Sequence, residues 1–467
     1  MNKEFEQGGK SDKEKSERKR SRANQKEFSQ RKKAALPRLE MFSDITIPDE
    51  SKKIIENFDE IVSSTRNLSG KQKVSLYGAI KRLSHQLTDD RNSRRLGYMN
   101  EASSVSAYIN YFMWWNLVRL TRLFANLPDS AFEPLFKSEK PVALDVGSGA
   151  LTIPIALWLA RPELQTKKIT WYCLDLSQTA LAAGENLFFS IAAKTIRGES
   201  LPPASTSSAA SPSPRGKAPK TPPEPWNIIR VKGALGTSIK EKADFLSCGN
   251  VFNEIIENNV SPTDFLAKKY TEQLLSYTKN DSATVLLVEP GDPRSARFIS
   301  LMRDSLIRKN FFPTAPCPHS KTCPMSGRTK GRATNEQGKN AKWCNFAFDA
   351  QTAPQKLLRL SEKAGLAKER AGLSFIIAKK SQEETNPKKQ SGGQEENPEK
   401  TFIRIASDFI RLPELRKSGY YACGSFGLLL AIDENHVNPK NGELLQIPIP
   451  KNLNETDEKS GAIIVRI

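Results

Sequence analysis

Residues 142–149 read Val142-Ala-Leu-Asp-Val-Gly-Ser-Gly149, a short apolar run followed by two glycines one residue apart. An apolar run of five residues predicts a buried strand, 142–146. The Gly-x-Gly that follows predicts a tight turn open to a ligand, because glycine has no side chain and adopts dihedral angles that other residues resist. This stretch predicts the first strand and ligand-binding turn of an α/β sheet.

A second predicted strand, 169–174, ends at Asp175. A carboxylate at the tip of a second strand can accept hydrogen bonds from ribose hydroxyls. NAD-binding enzymes carry Gly-x-Gly-x-x-Gly, and the last glycine is missing here, so Asp145 before the turn favours S-adenosylmethionine. We predict cofactor binding by Asp145, Gly147, Gly149 and Asp175; the alternative is a structural glycine turn in an ordinary α/β protein.

Strands and helices alternate beyond residue 140, which predicts a parallel sheet with helices on both faces. The further predicted strands are 228–231, 243–248, 284–288 and 373–378, and the predicted helices are 152–159, 179–191 and 262–277. The fold class is therefore α/β: a Rossmann-like S-adenosylmethionine-dependent methyltransferase sheet with an N-terminal helical domain, a cysteine-rich metal loop and a small C-terminal β-rich, barrel-like appendage.

The composition divides the chain into five parts. These are a disordered basic tail (1–36), a helical domain (37–135), the methyltransferase-like domain (140–380), a linker (381–400) and the β-rich C-terminal domain (401–467). The third part contains a flexible Pro/Ser-rich insertion (197–225) and the metal region (313–350). The most apolar stretch, 107–127, contains Asn110 and Arg119, so we expect no membrane span. Its aromatic residues are expected to pack in the core.

The predicted fourth strand ends in Cys248-Gly-Asn-Val-Phe-Asn-Glu254. Ligands of open α/β sheets bind at the carboxyl ends of the strands, so Asn250, Asn253 and Glu254 are candidates to orient a target base. Enzymes that methylate exocyclic amines commonly carry Asn/Asp-Pro-Pro-aromatic here, and the prolines are absent. We expect Cys248 to be buried rather than nucleophilic. A structural role for Asn253 and Glu254 stays open.

Four of the six cysteines lie in Cys317-Pro-His-x3-Cys323-Pro, Trp343-Cys344-Asn-Phe and Tyr421-Ala-Cys423-Gly. Clustered thiols in a reducing compartment often bind metal, and soft thiolates select zinc, copper(I) or iron–sulfur clusters. Zinc sites favour Cys-x2–4-Cys pairs, which are absent, and the Cys-Pro junctions favour an iron–sulfur centre over zinc. His319 is an alternative ligand, and unpaired structural thiols are the other interpretation.

These motifs, together with Tyr98-Met-x5-Val-Ser-Ala-Tyr108-Ile-x-Tyr111 and Val288-Glu-Pro-Gly-Asp292, resemble the ribosomal small-subunit methyltransferase-like family, which includes a mitochondrial small-subunit assembly factor. The resemblance covers about residues 95–350 and extends, more weakly, to the region of Cys423. It implies a 4Fe-4S cluster held by Cys317, Cys323, Cys344 and Cys423, bound S-adenosyl-L-methionine, and small-subunit ribosomal RNA as partner. The long Cys323-to-Cys344 gap departs from the family, and the basic start without a presequence predicts a bacterial-type, cytoplasmic member (mitochondrial matrix if eukaryotic).

The charge agrees with a nucleic-acid partner. Lys and Arg number 71 against 52 Asp and Glu, a formal charge of +19. Residues 1–40 account for only 13 Lys/Arg against 7 Asp/Glu, so most of the excess lies in the body of the chain. We predict a monomer that methylates small-subunit ribosomal RNA during ribosome assembly. The alternative is a non-catalytic, iron–sulfur-stapled RNA-binding assembly factor, and a zinc-stabilised RNA-binding protein is a third interpretation.

Overall fold

The computed structural model describes residues 40–88, 98–197, 224–256, 259–326, 342–381 and 399–467. The predicted basic tail lies outside these residues. So do most of the 197–225 insertion, most of the 381–400 linker and most of the long gap between Cys323 and Cys344. The division into five domains therefore stays a prediction, although the elements below fall within three of its parts.

The larger sheet has eight strands in the order β3-β2-β1-β4-β5-β8-β6, and β7 pairs with β8 off this path. Its strands are β1 (Val142–Val146), β2 (Thr170–Asp175), β3 (Asn227–Lys232), β4 (Phe245–Gly249), β5 (Thr284–Glu289), β6 (Phe311–Ala315), β7 (Phe346–Asp349) and β8 (Arg370–Lys380). Strand β1 has the predicted bounds and lies between β2 and β4, in parallel with both. The sheet order with β1 in the middle confirms the Rossmann-like fold.

The expectation of an all-parallel sheet is wrong for β8. Strands β1 to β5 are parallel, but β8 runs antiparallel to β5, β6 and β7. A long helix connects β5 to β6, and the gap between these two strands is filled by the longer strand β8. Strand direction depends on how the chain returns to the sheet, and an apolar run by itself does not encode it.

Thirteen α- and π-helical segments of four or more residues surround the sheet or precede it within the described part of the chain. They are α1 (Asp49–Glu56), α2 (Phe58–Thr65), α3 (Gly70–Thr88), α4 (Ala102–Ala107), a π-helix (Tyr108–Met113), α5 (Trp114–Asn126), α6 (Glu133–Lys137), α7 (Thr152–Ala160), α8 (Gln178–Arg197), α9 (Phe252–Ile255), α10 (Thr263–Leu275), α11 (Pro293–Ile307) and α12 (Gln355–Lys363). Short 3-10 turns lie at Tyr98–Asn100, Asp129–Ala131, Pro162–Thr166, Ala350–Thr352 and Pro413–Leu415.

The apolar stretch 107–127 is buried in the protein core, as predicted for its aromatic residues. Trp114 and Trp115 are almost fully buried. Their indole N–H groups donate to the backbone oxygen of Ile55 (2.8 Å) and to the hydroxyl of Ser361 (3.1 Å). These bonds attach α5 to both the early helices and α12. Helix α5 also packs along α7, every residue of which is buried.

The C-terminal residues form a separate six-stranded sheet, which confirms the β-rich appendage. Its strands are β9 (Lys400–Ile405), β10 (Ile410–Leu412), β11 (Lys417–Gly424), β12 (Gly427–Asp433), β13 (Leu444–Pro448) and β14 (Ile463–Arg466). They are ordered β13-β9-β11-β12-β14, with β10 on β11, around a small core that includes Ile403, Leu429 and Leu445. Across the described ranges, no helix combines the length and apolarity that a bilayer crossing requires.

Candidate functional site

The turn after β1 is shaped by its two glycines. Gly147 and Gly149 have positive φ values of 70° and 51°, in the left-handed region that favours glycine. A Cβ at Gly147 would lie 2.1 Å from a methyl carbon of Val251, so only glycine fits there. A Cβ at Gly149 would meet no atom within 4 Å, so the turn is open on that side. This open side is where a ligand can approach the backbone.

Asp175 joins the tips of β1 and β2. Its carboxylate accepts hydrogen bonds from the backbone N–H of Gly149 (2.8 Å) and of Ser177 (2.7 Å). Burial raises the pKa of Asp175, and the N–H donors oppose that rise. Each carboxylate oxygen has a second lone pair, so the group can still accept from ribose hydroxyls. The hydroxyl of Ser177 donates to the backbone oxygen of Met99 (2.7 Å), which brings the start of the helical segment to the same edge.

Asp145 lies beneath the turn and is almost fully buried. Its two oxygens accept from the hydroxyls of Ser148 (2.7 Å) and Ser247 (2.6 Å). Burial raises its pKa to about 7; the two hydroxyls lower it and the charge of Asp175 adds to the rise. Unlike Asp175, which is only partly buried, Asp145 has no exposed oxygen to offer a ligand, so it acts as a support for the turn and for β4.

Helix α8 presses against this turn through a glycine that the sequence did not single out. A Cβ at Gly184 would lie 2.3 Å from the carbonyl carbon and 2.5 Å from the carbonyl oxygen of Ala150. Real Cβ atoms do not approach backbone atoms so closely, so the helix and the turn can be in contact only because residue 184 is glycine. An isolated glycine in a helical pattern was the available signal, since glycine costs about 1 kcal/mol there relative to alanine.

The three candidate catalytic residues lie after β4, where Glu289 organises the backbone. The Glu289 carboxylate, buried at the end of β5, accepts from the N–H groups of Val251 (2.9 Å), Phe252 (2.8 Å) and Asn253 (3.1 Å). Burial raises the pKa of Glu289 to about 8, against the effect of these donors. Glu289 thus fixes the loop that carries Asn253.

Two of the candidates have unusual local features. Asn250 has a positive φ of 57°, and its N–H donates to the backbone oxygen of Val288 (2.8 Å). The side-chain oxygen of Asn253 is buried and has no hydrogen-bond partner among the described residues. A buried acceptor without a partner is costly, so it is available to a donor on a ligand. Glu254 is partly buried and follows directly in α9, and Cys248 is fully buried, as predicted.

The four predicted metal-binding cysteines line one pocket. Cys317 and Cys323 come from the loop after β6, Cys344 from the segment before β7, and Cys423 from β11 of the C-terminal sheet. The structure therefore brings together residues that are up to 106 positions apart in the sequence.

Hydrogen bonds from side chains to backbone oxygens attach the cysteine-bearing segment to the edge of the sheet that carries the glycine turn. The indole N–H of Trp343 donates to the backbone oxygen of Gly291 (3.0 Å), two residues beyond Glu289. The hydroxyl of Ser374, which pairs with Glu289 across β5 and β8, donates to the backbone oxygen of Cys344 (2.8 Å). The pocket lined by the four cysteines (the thiol pocket) and the loop fixed by Glu289 are thus both attached where the end of β5 pairs with β8.

Two arginines that the sequence did not mark face this pocket. Arg303, buried on α11, donates from Nε to the sulfur of Cys317 (3.1 Å) and from a terminal nitrogen to the backbone oxygen of His319 (2.6 Å). Its other terminal nitrogen forms an ion pair with Asp304 (2.7 Å). Arg404, on β9, donates to the backbone oxygen of Pro316 (2.8 Å). No local pattern signals these residues, because each joins the pocket only through the tertiary fold.

The charges at the pocket favour a negatively charged centre. Burial lowers the pKa of Arg303, but the nearby sulfurs of Cys317 and Cys323 and the Asp304 carboxylate outweigh it, so the pKa is raised overall. Burial raises the pKa of Cys323 to about 11, and Cys317 adds to the rise. Such thiols stay protonated unless a cation binds them, because thiolates are the metal-binding form.

His319 is buried beside the cysteines, not exposed as a loop histidine usually is. Its Nε2 lies 3.2 Å from the sulfur of Cys423. Burial lowers its pKa to about 4, and the charge of Arg303 acts in the same direction, so the ring is neutral. A neutral ring can donate a hydrogen bond to a thiolate or replace it as a ligand.

A single metal ion is not accommodated by the side chains as they stand. A tetrahedral zinc site with Zn–S bonds of about 2.3 Å needs its sulfurs about 3.8 Å apart. In the part of the chain that the structure describes, no group of three or more His, Cys, Asp or Glu side chains is arranged to hold a metal ion. The four cysteines thus line one pocket, and among the described residues their side chains do not form a metal-binding group as they stand.

Residues 263–411, about a third of the chain, match the family model described as mitochondrial small ribosomal subunit Rsm22. No curated protein matches the chain. Among solved structures, the chain is similar to a precorrin-6y C5,15-methyltransferase from Geobacter metallireducens (10% identity, 54% of this chain, 86% of that one, TM-score 0.28).

Two further solved structures are similar over a larger part of the chain. One is an S-adenosylmethionine-dependent methyltransferase from Geobacter sulfurreducens in complex with S-adenosyl-L-homocysteine (12% identity, 64% of this chain, 96% of that one, TM-score 0.26). The other is an O-methyltransferase family protein from Burkholderia thailandensis (10% identity, 65% of this chain, 72% of that one, TM-score 0.29). The fold of this chain is assigned from its own strand order.

Proposed function

We propose that this chain, which is Rsm22-like over residues 263–411, is an S-adenosylmethionine-binding, methyltransferase-like protein that acts on RNA of the small ribosomal subunit. The observation that carries the proposal is the contact between Asp175 and the backbone of Gly149 at the open glycine turn. It joins the two features that bind an adenosyl ligand: a backbone that can be approached closely and a carboxylate that can accept from ribose hydroxyls.

In this proposal, the residues around the glycine turn and at the tip of β4 have separate roles. Gly147 and Gly149 leave room for the ligand, Asp175 binds the ribose, and Asp145 holds the turn in place from below. The cofactor, when bound, supplies an electrophilic methyl group. Asn250, Asn253 and Glu254 lie at the tip of β4 and would orient the base that receives it, and the unpartnered oxygen of Asn253 suits an N–H donor on that base.

The thiol pocket supports an iron–sulfur centre as the second group. Four thiolates around such a cluster carry excess negative charge, and Arg303 and Arg404 beside the pocket would compensate it. Cys317, Cys323, Cys344 and Cys423 would be the ligands, and zinc is the alternative.

The second candidate function is a non-catalytic assembly factor in which the metal centre only stabilises the fold. Two observations favour it. The loop after β4 lacks the prolines of amine methyltransferases, and three of its backbone N–H groups already donate to the Glu289 carboxylate. Cys423 brings the C-terminal sheet to the pocket, so a bound centre would lock the two sheets together. Such a protein would clamp ribosomal RNA without turnover.

A binding experiment tests whether the glycine turn binds an adenosyl ligand at all. We expect S-adenosylhomocysteine to bind the purified chain in calorimetry and Asp175→Asn to weaken that binding by about tenfold or more, because a charge-assisted acceptor is lost. The matched control is Asp281→Asn, since Asp281 is exposed and precedes β5 at the opposite end of the strands. Absence of binding by the wild-type chain would remove the proposal.

Mass spectrometry of small-subunit RNA then separates the enzyme from the clamp. A methyl group that disappears when the gene is deleted, and returns with the wild type but not with Asp175→Asn, requires methyl transfer. Unchanged RNA together with co-sedimentation on small-subunit precursors supports the clamp. Iron, sulfide and zinc contents after anaerobic purification distinguish the two metal centres.

A further inference from the structure

Two cationic side chains, Arg119 and Lys368, lie together without an acidic partner at the edge of the sheet that holds the glycine turn. Arg119, on α5, is partly buried and donates to the backbone oxygen of Gly372 (2.8 Å) and to the side-chain oxygen of Asn116. The Nζ of Lys368 lies 5.5 Å from the ring centroid of Tyr111 and 5.3 Å from that of Trp115. Neither cation forms an ion pair with any described residue.

The electrostatics of this pair are unfavourable as they stand. Burial lowers the pKa of Arg119 to about 10. Burial also lowers the pKa of Lys368 to about 7, and the charge of Arg119 lowers it further. No carboxylate contributes to the pKa of either group. Two neighbouring cations in a poorly solvated place are stabilised when an anion binds between them.

A short chain of polar contacts connects Arg119 to the glycine turn. Thr152, three residues after Gly149, has its hydroxyl 3.5 Å from the hydroxyl of Tyr108. Tyr108 also interacts with the side chain of Asn116, which accepts from Arg119. Gly372, the other partner of Arg119, lies two residues before Ser374, which pairs with Glu289 at the end of β5. The cations thus face the ligand crevice from the side of α5.

We propose that Arg119, assisted by Lys368, binds the carboxylate of the amino-acid end of the adenosyl ligand. This inference rests on the proposed function, because it places that ligand at the turn. A carboxylate on a small ligand can reach a partly buried guanidinium, and arginine binds carboxylates through two parallel hydrogen bonds. The ribose would lie at Asp175 and the carboxylate of the zwitterionic amino-acid end at Arg119. An RNA phosphate is the competing ligand.

The test compares two ligands that differ only at this end. S-Adenosylhomocysteine carries the amino-acid group, and 5′-methylthioadenosine lacks it. We expect Arg119→Met to weaken S-adenosylhomocysteine binding by about 10- to 100-fold in calorimetry, because a charge-assisted bond is lost, and to leave 5′-methylthioadenosine binding unchanged. Arg119→Lys should recover part of the loss, since the charge remains but the bidentate geometry does not.

Lys368→Met provides a second variant that removes no hydrogen bond of the fold. It should weaken S-adenosylhomocysteine binding by a few-fold and again spare 5′-methylthioadenosine. The matched control is Lys363→Met, an exposed lysine 5.7 Å from the ring centroid of Tyr77, which should change neither affinity.

Four outcomes test the role of Arg119. Equal affinities of the wild type and Arg119→Met for S-adenosylhomocysteine overturn the inference, and so does an equal loss for both ligands. Unchanged S-adenosylhomocysteine binding with weakened RNA binding assigns the cations to a phosphate instead. If the wild type binds neither adenosyl ligand, the proposed function itself fails, which is distinct from a failure of the role of Arg119.

Discussion

Replacing Gly184 by alanine should displace the glycine turn, because residue 184 on α8 packs directly against it. The added methyl carbon would lie 2.3 Å from the carbonyl carbon of Ala150, and the contact becomes acceptable only if α8 and the turn separate by about 1 Å. Overpacking of this kind costs roughly 1–3 kcal/mol or more, and the better helix propensity of alanine returns about 1 kcal/mol. We therefore expect a net loss of stability of up to about 2 kcal/mol.

The same substitution should weaken ligand binding. Ala150 follows Gly149 directly, so a shift of about 1 Å in its carbonyl moves the backbone that contacts the ligand, and misplacement on that scale costs on the order of 10- to 100-fold. Urea denaturation and calorimetry with S-adenosylhomocysteine measure the two effects. The control is Gly78→Ala in α3, where the new carbon would lie 3.4 Å from the flexible end of Arg82. There we expect a gain of about 0.5–1 kcal/mol and unchanged binding. If Gly184→Ala behaved like Gly78→Ala, the close contact between α8 and the turn would be refuted.

Three further predictions concern the thiol pocket and the charge. Cys317→Ser should lower the bound metal content and the melting temperature, because metal binding is coupled to folding. The control is Cys173→Ser, which removes a buried thiol outside the pocket and should leave the metal content unchanged. Equal metal contents in the two variants would exclude Cys317 as a ligand. Arg303→Met should destabilise the protein by about 3–5 kcal/mol in denaturant titrations, because Asp304 stays buried without its cation. The control is Arg308→Met, at the exposed residue directly after α11, which should cost less than about 0.5 kcal/mol. Affinity for small-subunit RNA should fall linearly with salt on a double-logarithmic plot, through counterion release, and a flat dependence would mean that the positive charge serves another purpose.

Local patterns predicted the parts of the fold that are decided by nearby residues. The strand 142–146 is recovered with its bounds, because a short buried run followed by Gly-x-Gly has few other solutions. The direction of β8 was mispredicted, since it follows from how the chain returns between β5 and β6. The short strand β7 was not foreseen either, because four residues carry too weak a periodicity.

The candidate site shows the same division between local and tertiary information. Cysteine spacing and proline neighbours singled out Cys317, Cys323 and Cys344, and the family resemblance added Cys423; the structure brings all four thiols to one pocket. Arg303 and Arg404 were invisible in the sequence, since each reaches the pocket from a separate element. Asp145 was expected to face the ligand, and both of its oxygens are instead bonded to serine hydroxyls, one of which, Ser247, comes from β4, about a hundred residues away.

The position of Cys423 on β11 has a consequence for the order of events during synthesis. The first three pocket cysteines are translated by residue 344, and the fourth, Cys423, follows 79 residues later. A nascent or truncated chain that ends before β11 can present three thiols but cannot close the pocket. Any inorganic group held by all four sulfurs is therefore acquired late, and its presence marks a polypeptide whose final sheet has formed.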